Sequence, residues 1–212
     1  MGSEAANLAR KYNVSRESMA KLEEYAALLL RWQARINLIG PATVGDVWQR
    51  HIADSLQIGP IISDNCDIEK PTIIDLGTGA GFPGIPIAIS MGAFVHLVES
   101  NHKKAAFLRE AVRITETDAE IHACRIENID SEALRPKPDI VTSRALAPLD
   151  KLLGFAAPWM ENGSIGVFMK GQHVDRELTE ATKCWNMDAK TIPSPEKTGG
   201  AVIVVKNLQA KS

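Results

Sequence analysis

Residues 72–84 read Thr-Ile-Ile-Asp-Leu-Gly-Thr-Gly-Ala-Gly-Phe-Pro-Gly. A short β-branched run feeds a glycine-dense turn, and the apolar segment Ile85 to Met91 follows directly. Strand, ligand-gripping loop and helix in that order open a doubly wound α/β domain. Gly77, Gly79, Gly81 and Gly84 permit positive φ and let a backbone approach a ligand without a Cβ in the way. Pro83 suits the first turn of the helix, where a missing N–H costs nothing.

Two ligands fit this loop. Residues 79–84 satisfy G-x-G-x-x-G, so a nicotinamide or flavin dinucleotide is one reading. Asp75, at the end of the strand, favours the other. A carboxylate there repels a pyrophosphate but attracts an ammonium, and S-adenosylmethionine carries an ammonium and a sulfonium. Ala93 to Glu99 forms a second strand that also ends in an acid. Glu99 follows Asp75 by 24 residues, near the roughly 20-residue spacing at which a carboxylate grips ribose hydroxyls. S-adenosylmethionine is therefore the expected cofactor, with Asp75, Gly77, Gly79 and Glu99 in contact with it.

The 212 residues suit one domain with an appendage, and a net charge of −2 supplies no general attraction for nucleic acid. An RNA partner would need a local basic patch. Cys66, Cys124 and Cys184 are widely spaced and show no metal-ligand pattern, so no metal site is expected and the thiols suit a reducing cytoplasm. No apolar run is long enough for a membrane span, and the first residues do not begin a signal peptide.

Along the chain, residues 1–65 read as an N-terminal helical extension and 66–212 as the ligand-binding domain. Ser15 caps a helix running to about Arg35, with Met19, Leu22, Ala26, Leu29, Leu30 and Ile36 on its apolar face and Tyr25 and Trp32 on its flank. Thr43 caps a second helix with a stripe of Val44, Val47, Ile52 and Leu56, closed by Gly59-Pro60. Arg50, His51, Asp54 and Ser55 share its polar side, where an Arg50–Asp54 pair with His51 at a solvated edge is the plain reading. From Thr72 onward strands and helices alternate: strands at 72–76, 94–99, 119–124, 139–142 and 164–169, with helices over 84–91, 103–115, 149–160 and 174–184. Residues 187–192 and 201–206 finish the sheet as an antiparallel hairpin. The fold class is thus a Rossmann-like, mostly parallel sheet with an antiparallel last strand and an N-terminal helical cap.

Polar residues cluster at the strand ends: Asp75, Gly77, Glu99, Arg125-Ile126-Glu127, Ser143-Arg144 and Lys170. The turn after strand three can present the Glu127 carboxylate and the Ile126 amide to an adenine edge, and Phe82 can lie against the cofactor or in the core. No Asp/Asn-Pro-Pro-aromatic motif follows strand four, and no cysteine stands where attack on a pyrimidine would need one. Arg144 offers charge and a stacking plane without being a base. The acceptor therefore fits an atom with a free lone pair and no proton to lose, and no catalytic base is assigned.

Six ordered motifs carry a resemblance: Trp32-x4-Asn37-Leu38, Arg50-His51-x2-Asp54-Ser55, Asp75 through Gly84, Arg125-Ile126-Glu127, Ser143-Arg144-Ala145 and Lys170-Gly171. From about Ala27 to Lys206 the chain resembles the bacterial small-subunit ribosomal RNA guanine-N7 methyltransferases, the family first named glucose-inhibited division protein B. The resemblance implies a class I methyltransferase fold and cofactor contacts at Gly77, Phe82, Ile126, Glu127 and Arg144. It implies one guanine of the small-subunit RNA as target, free or in the ribosomal subunit. Arg50, His51, Lys103, Arg144 and Lys170 are the candidate RNA contacts, with Arg31, Arg35 and Lys104 as further cations. A monomeric cytoplasmic enzyme is expected. A methyltransferase acting on a small molecule or protein, and a dinucleotide oxidoreductase, remain the alternatives.

Overall fold

In the computed structural model, which describes residues 3–195 and 200–211, the β-branched run becomes β1 (Ile73–Leu76), buried at every position. Complete burial is what a central strand covered on both faces requires, and it explains the absence of polar alternation. Alternate residues point to opposite layers. Ile73 joins a core with the N-terminal helices, whereas Ile74 and Leu76 join a second core on the other face.

The sheet has seven strands: β2 (Val95–Val98), β3 (Ala119–His122), β4 (Ile140–Arg144), β5 (Ile165–Lys170), β6 (Trp185–Pro193) and β7 (Ala201–Ala210) beside β1. Their order is 3-2-1-4-5-7-6. Strands β1 to β5 pair in parallel, while β7 runs antiparallel to both β5 and β6. The chain builds outward from β1 to β3 and then returns to place β4 against the other side of β1. Ligands in such sheets bind beyond the strand ends at that reversal. The expected hairpin forms, longer than the sequence reading drew it, with a register shift between Asn186 and Asp188.

Helices α1 (Ser3–Lys11) and α2 (Arg16–Gln33) precede the sheet, and the Ser15 side chain accepts the Ser18 N–H as an N-cap should. The apolar face of α2 is rotated from the expected one. Leu30 is exposed, and Tyr25, assigned to the flank, is wholly buried among the rings of Phe82 and Phe107. The Tyr25 hydroxyl donates to the Ala80 carbonyl within the glycine loop. That bond gives a polar side chain a reason to sit in the core.

The second expected helix forms differently. Residues 41–46 make a 3-10 turn, 48–53 a π turn, and α3 (Asp54–Leu56) and α4 (Ile58–Ser63) follow. Gly59-Pro60 does not close it. Pro60 lies in the first turn of α4, where no backbone donor is needed. Val44 is only half-buried.

Around the sheet, α5 (Gly84–Met91) and α6 (His102–Thr115) pack with α2 on one face, and α7 (Leu149–Met160) and α8 (Val174–Cys184) on the other. Pro83 stands at the N-cap of α5. A Cβ on Gly84 would fall 2.7 Å from Leu97 Cδ2 and 2.8 Å from Asp75 Oδ2. Overpacking of that kind costs about 1–3 kcal/mol. Gly84→Ala is expected to lower the melting temperature by about 2–4 °C for each kcal/mol lost, measured by thermal unfolding. An unchanged melting temperature would show that the helix can back away from β1.

Candidate active site at the switch point of the sheet

The loop after β1 takes the conformation its glycines allow: φ is 66° at Gly77, 63° at Gly79 and 97° at Gly81. Side chains at those angles would be strained. Asp75 holds the loop closed. Its Oδ2 accepts the Thr78 hydroxyl at 2.5 Å and the Gly84 N–H at 2.9 Å. Asp75 Oδ1 is buried without a hydrogen-bond partner among the described residues. Burial pushes the Asp75 pKa up to about 7, opposed by the Thr78 and Gly84 hydrogen bonds and by Arg144. A buried acceptor left bare is costly unless a ligand satisfies it. An ammonium is the donor that would suit this oxygen.

In front of the loop, between the ends of β1, β2 and β3, lies a cavity of about 330 Å³. Gly77, Gly79, Glu99, Ile126 and Glu127, five of the residues expected at the cofactor, line it. Glu99 is buried, and one of its oxygens takes the Asn101 N–H at 2.6 Å. That bond fixes the carboxylate at the rim. The sequence reading missed Leu146 and Phe155, which also line the cavity. Leu146 lies over Gly77, its Cδ1 only 2.6 Å from where a Cβ would stand. The compact Gly77 hinted at a close neighbour, but only the fold identifies it. Lys104 turns into the cavity, whereas Lys103 is exposed. The two lysines do not form one patch.

A second cavity, of about 420 Å³, adjoins the first through Ala145 and Leu146. Both have the size of ligand sites, which run to about 300–1,000 Å³. Arg50, Asp54, Arg144, Lys170 and Glu177 lie on the second wall. Arg144 lines this cavity and not the first, and Phe82 lines neither. Phe82 is a core ring, stacked with His51 at 5.0 Å between centroids and covered by the Arg144 guanidinium at 5.1 Å.

The Arg50–His51–Asp54–Ser55 face is not solvated. The π turn changes the helical period there, so only Arg50 is exposed while His51, Asp54 and Ser55 are buried. Arg144 donates to the Arg50 carbonyl at 3.2 Å and to His51 Nδ1 at 2.8 Å. A guanidinium cannot accept, so His51 Nδ1 is a lone pair and its proton is on Nε2. Nε2 then donates to the Thr43 hydroxyl at 2.8 Å, which donates to the Gly40 carbonyl at 2.9 Å. Burial, then Arg144 and Arg50, lowers the His51 pKa to about 4. His51 is neutral at physiological pH. Lys170 has a side chain only 6% exposed, donating to the Ala147 carbonyl at 2.7 Å and paired with Glu177 at 2.6 Å. It is a strut behind the 145–148 loop and not a free surface cation.

A glycine loop over a cavity at the reversal of a 3-2-1-4-5-7-6 sheet defines a class I methyltransferase fold. The family model described as rRNA small subunit methyltransferase G matches residues 18–200. The chain belongs to that family. A relative from Paramagnetospirillum magneticum, named ribosomal RNA small subunit methyltransferase G, is 45% identical over 95% of this chain and 94% of its own. One of the same name from Gluconobacter oxydans is 46% identical over 92% and 97%. Among solved structures, a mutant of MtNAS in complex with S-adenosylmethionine aligns with a TM-score of 0.60 at 12% identity, over 95% of this chain and 77% of that one. M. jannaschii TYW2 in complex with AdoMet aligns at 0.52 and 12%, over 74% and 77%. At these identities the likeness is one of fold.

The pKa directions of Asp75 and His51 oppose each other in pH. An acid raised from 3.8 to about 7 binds more protons folded than unfolded between those values, so its contribution to stability falls as pH rises through that window. A histidine lowered from 6.5 to about 4 contributes stability that is lost as pH falls through that window. Asp75→Asn removes the first effect alone. The stability of the ligand-free variant relative to wild type should therefore climb from pH 4 to 7; denaturant unfolding at each pH measures it. A difference independent of pH would remove the buried-acid assignment.

Proposed function

We propose that the protein transfers the methyl group of S-adenosylmethionine to N7 of a guanine in small-subunit ribosomal RNA. The observation that carries the cofactor half is the cavity at the ends of β1 to β3 with Glu99 at its rim; Asp75 lines neither cavity, but keeps one oxygen without a partner behind the glycine loop. Bound S-adenosylmethionine supplies an electrophilic methyl group on a sulfonium. In this reading Asp75 Oδ1 receives the ammonium, Glu99 holds the ribose, and the Ile126–Glu127 turn meets the adenine. The acceptor half rests on family membership and on the second cavity, joined to the first at Ala145–Leu146. The base enters there, along the wall that Arg50, Asp54 and Gln57 of the N-terminal helical segment supply. Exposed Arg50, half-buried Arg144 and exposed Lys103 take RNA phosphates. His51 and Lys170 position Arg144 and the 145–148 loop. The enzyme acts as a cytoplasmic monomer.

N7 of guanine carries a lone pair, and its methylation leaves no proton to remove. The residues present suit that demand, because His51 spends one ring nitrogen on Arg144 and the other on Thr43. Rate then comes from orientation of the base, an effect able to supply roughly 7–11 kcal/mol.

Small ribosomal subunits lacking the modification, incubated with methyl-labelled cofactor and digested to nucleosides, should yield labelled 7-methylguanosine. Label in another nucleoside, in protein or in none would overturn the reading. Glu99→Ala should weaken cofactor binding by about tenfold or more, since charge-assisted hydrogen bonds contribute about 1.5–3 kcal/mol each; calorimetry checks this, and equal affinities refute the ribose role. Single-turnover methylation in the pre-formed complex should show no ionisation between pH 4 and 6.5, the range from the folded His51 value to the ordinary one, in wild type or in His51→Gln. A wild-type step there that the variant lacks would make His51 a base and exclude N7 as acceptor.

A further inference from the structure

On the edge of the sheet, outside the lining of both cavities, three potential metal ligands converge. His96 lies on β2, and Glu120 and His122 on β3. The parallel register places His96 opposite Glu120, and residues two apart on a strand share a face. One donor atom from each of the three lies within 4.8 Å of the others. His96 Nδ1 stands 3.0 Å from His122 Nε2 and 3.6 Å from Glu120 Oε2.

We propose that His96, Glu120 and His122 form a binding site for one divalent transition-metal ion of the zinc class. Ligand bonds of about 2.0–2.1 Å in a tetrahedral arrangement set donor atoms about 3.3 Å apart. The two separations from His96 lie on either side of that value, and the third, between Glu120 and His122, is within 4.8 Å, so the exposed Glu120 side chain has only to swing inward to complete the site. His96 is already oriented for it. Its ring is wholly buried, with Nε2 2.9 Å from the Pro136 carbonyl. A carbonyl only accepts, so the proton is on Nε2 and Nδ1 presents its lone pair to the cluster. Such a second bond to a backbone carbonyl is the support that ligating histidines use.

His122 is the adjustable member. Without metal its Nε2–H donates to His96 Nδ1. Ligation requires only that this proton move to Nδ1 of the same ring, leaving both imidazoles neutral. Two imidazoles and one carboxylate select zinc, cobalt or nickel over magnesium or calcium. The Glu120 side chain, 55% exposed, marks the way in and leaves a fourth position for water. A bound ion would clamp edge strand β3 to β2 and to the Pro136 segment. Those strands lead to Glu99 and to the Ile126–Glu127 turn, so the ion would brace that wall of the first cavity.

The test uses full-length protein stripped with chelator and titrated with Zn²⁺ by calorimetry. Saturable binding of one equivalent is expected, with a rise in melting temperature of about 5–10 °C when Zn²⁺ is near a hundred times its Kd. Co²⁺ should give visible ligand-field bands without a thiolate charge-transfer band, which separates this site from the three cysteines. Glu120→Gln, a surface change that leaves the fold intact, should weaken Zn²⁺ at least tenfold. His122→Ala should abolish the equivalent. Absence of saturable binding, a thiolate band, or affinities unchanged in both variants would each overturn the proposal.

Discussion

The guanidinium of Arg144 joins three parts of the chain that are remote in sequence. It leaves the end of β4, covers the Phe82 ring of the glycine loop and donates to His51 and to the Arg50 carbonyl. Burial lowers its pKa, and the charges of Asp54, Tyr25 and Asp75 work in the other direction. Two of its donor atoms are satisfied inside the fold, and the rest of the guanidinium faces the second cavity. Removing one partner from a buried charge costs about 3–5 kcal/mol. Hence the irregular helical segment 41–63 is not free to pack anywhere on the sheet. Its π turn brings the His51 ring and the Arg50 carbonyl to the same guanidinium, and Thr43 completes the chain of donors.

Asp75 imposes the complementary constraint from beneath the loop. One of its oxygens takes up the Gly84 N–H and the Thr78 hydroxyl, which bends the chain back toward β1 and begins α5. The closeness of α5 to the sheet follows, since only hydrogen fits at Gly84. The other oxygen is left bare in a buried site. Structural economy would have satisfied both. An acid with one unsatisfied oxygen in a buried site is a cost to the ligand-free fold.

These two constraints also divide the site. The Asp75 side governs the cavity at β1–β3, and the Arg144 side governs the cavity at β4, β5 and β7. Between them stands the 145–148 loop, held from behind by Lys170 and Glu177. The Glu177 carboxylate also accepts the Leu149 N–H at 2.9 Å, so the start of α7 is fixed by the same pair.

The sequence by itself determined the strand–loop–helix unit, the acids ending β1 and β2, and the alternation that makes the sheet. These are local: burial on both faces demands continuous β-branched runs, and positive φ demands glycine. Five of the eight expected cofactor residues line the first cavity, because strand ends converge wherever the sheet reverses. What tertiary structure decided are the side chains whose partners lie far along the chain. Helical periodicity placed His51 at a solvated edge, yet a π turn and Arg144, 93 residues on, bury it. Lys170 reads from sequence as a candidate RNA contact, and the fold pairs it with Glu177 and the Ala147 carbonyl. Leu146 carries no pattern, and His96, Glu120 and His122 meet only through the β2–β3 register. Spacing in sequence reports which face of an element a residue occupies. Which group waits opposite that face depends on packing across the sheet, and burial then determines whether a charge is kept, paired or suppressed.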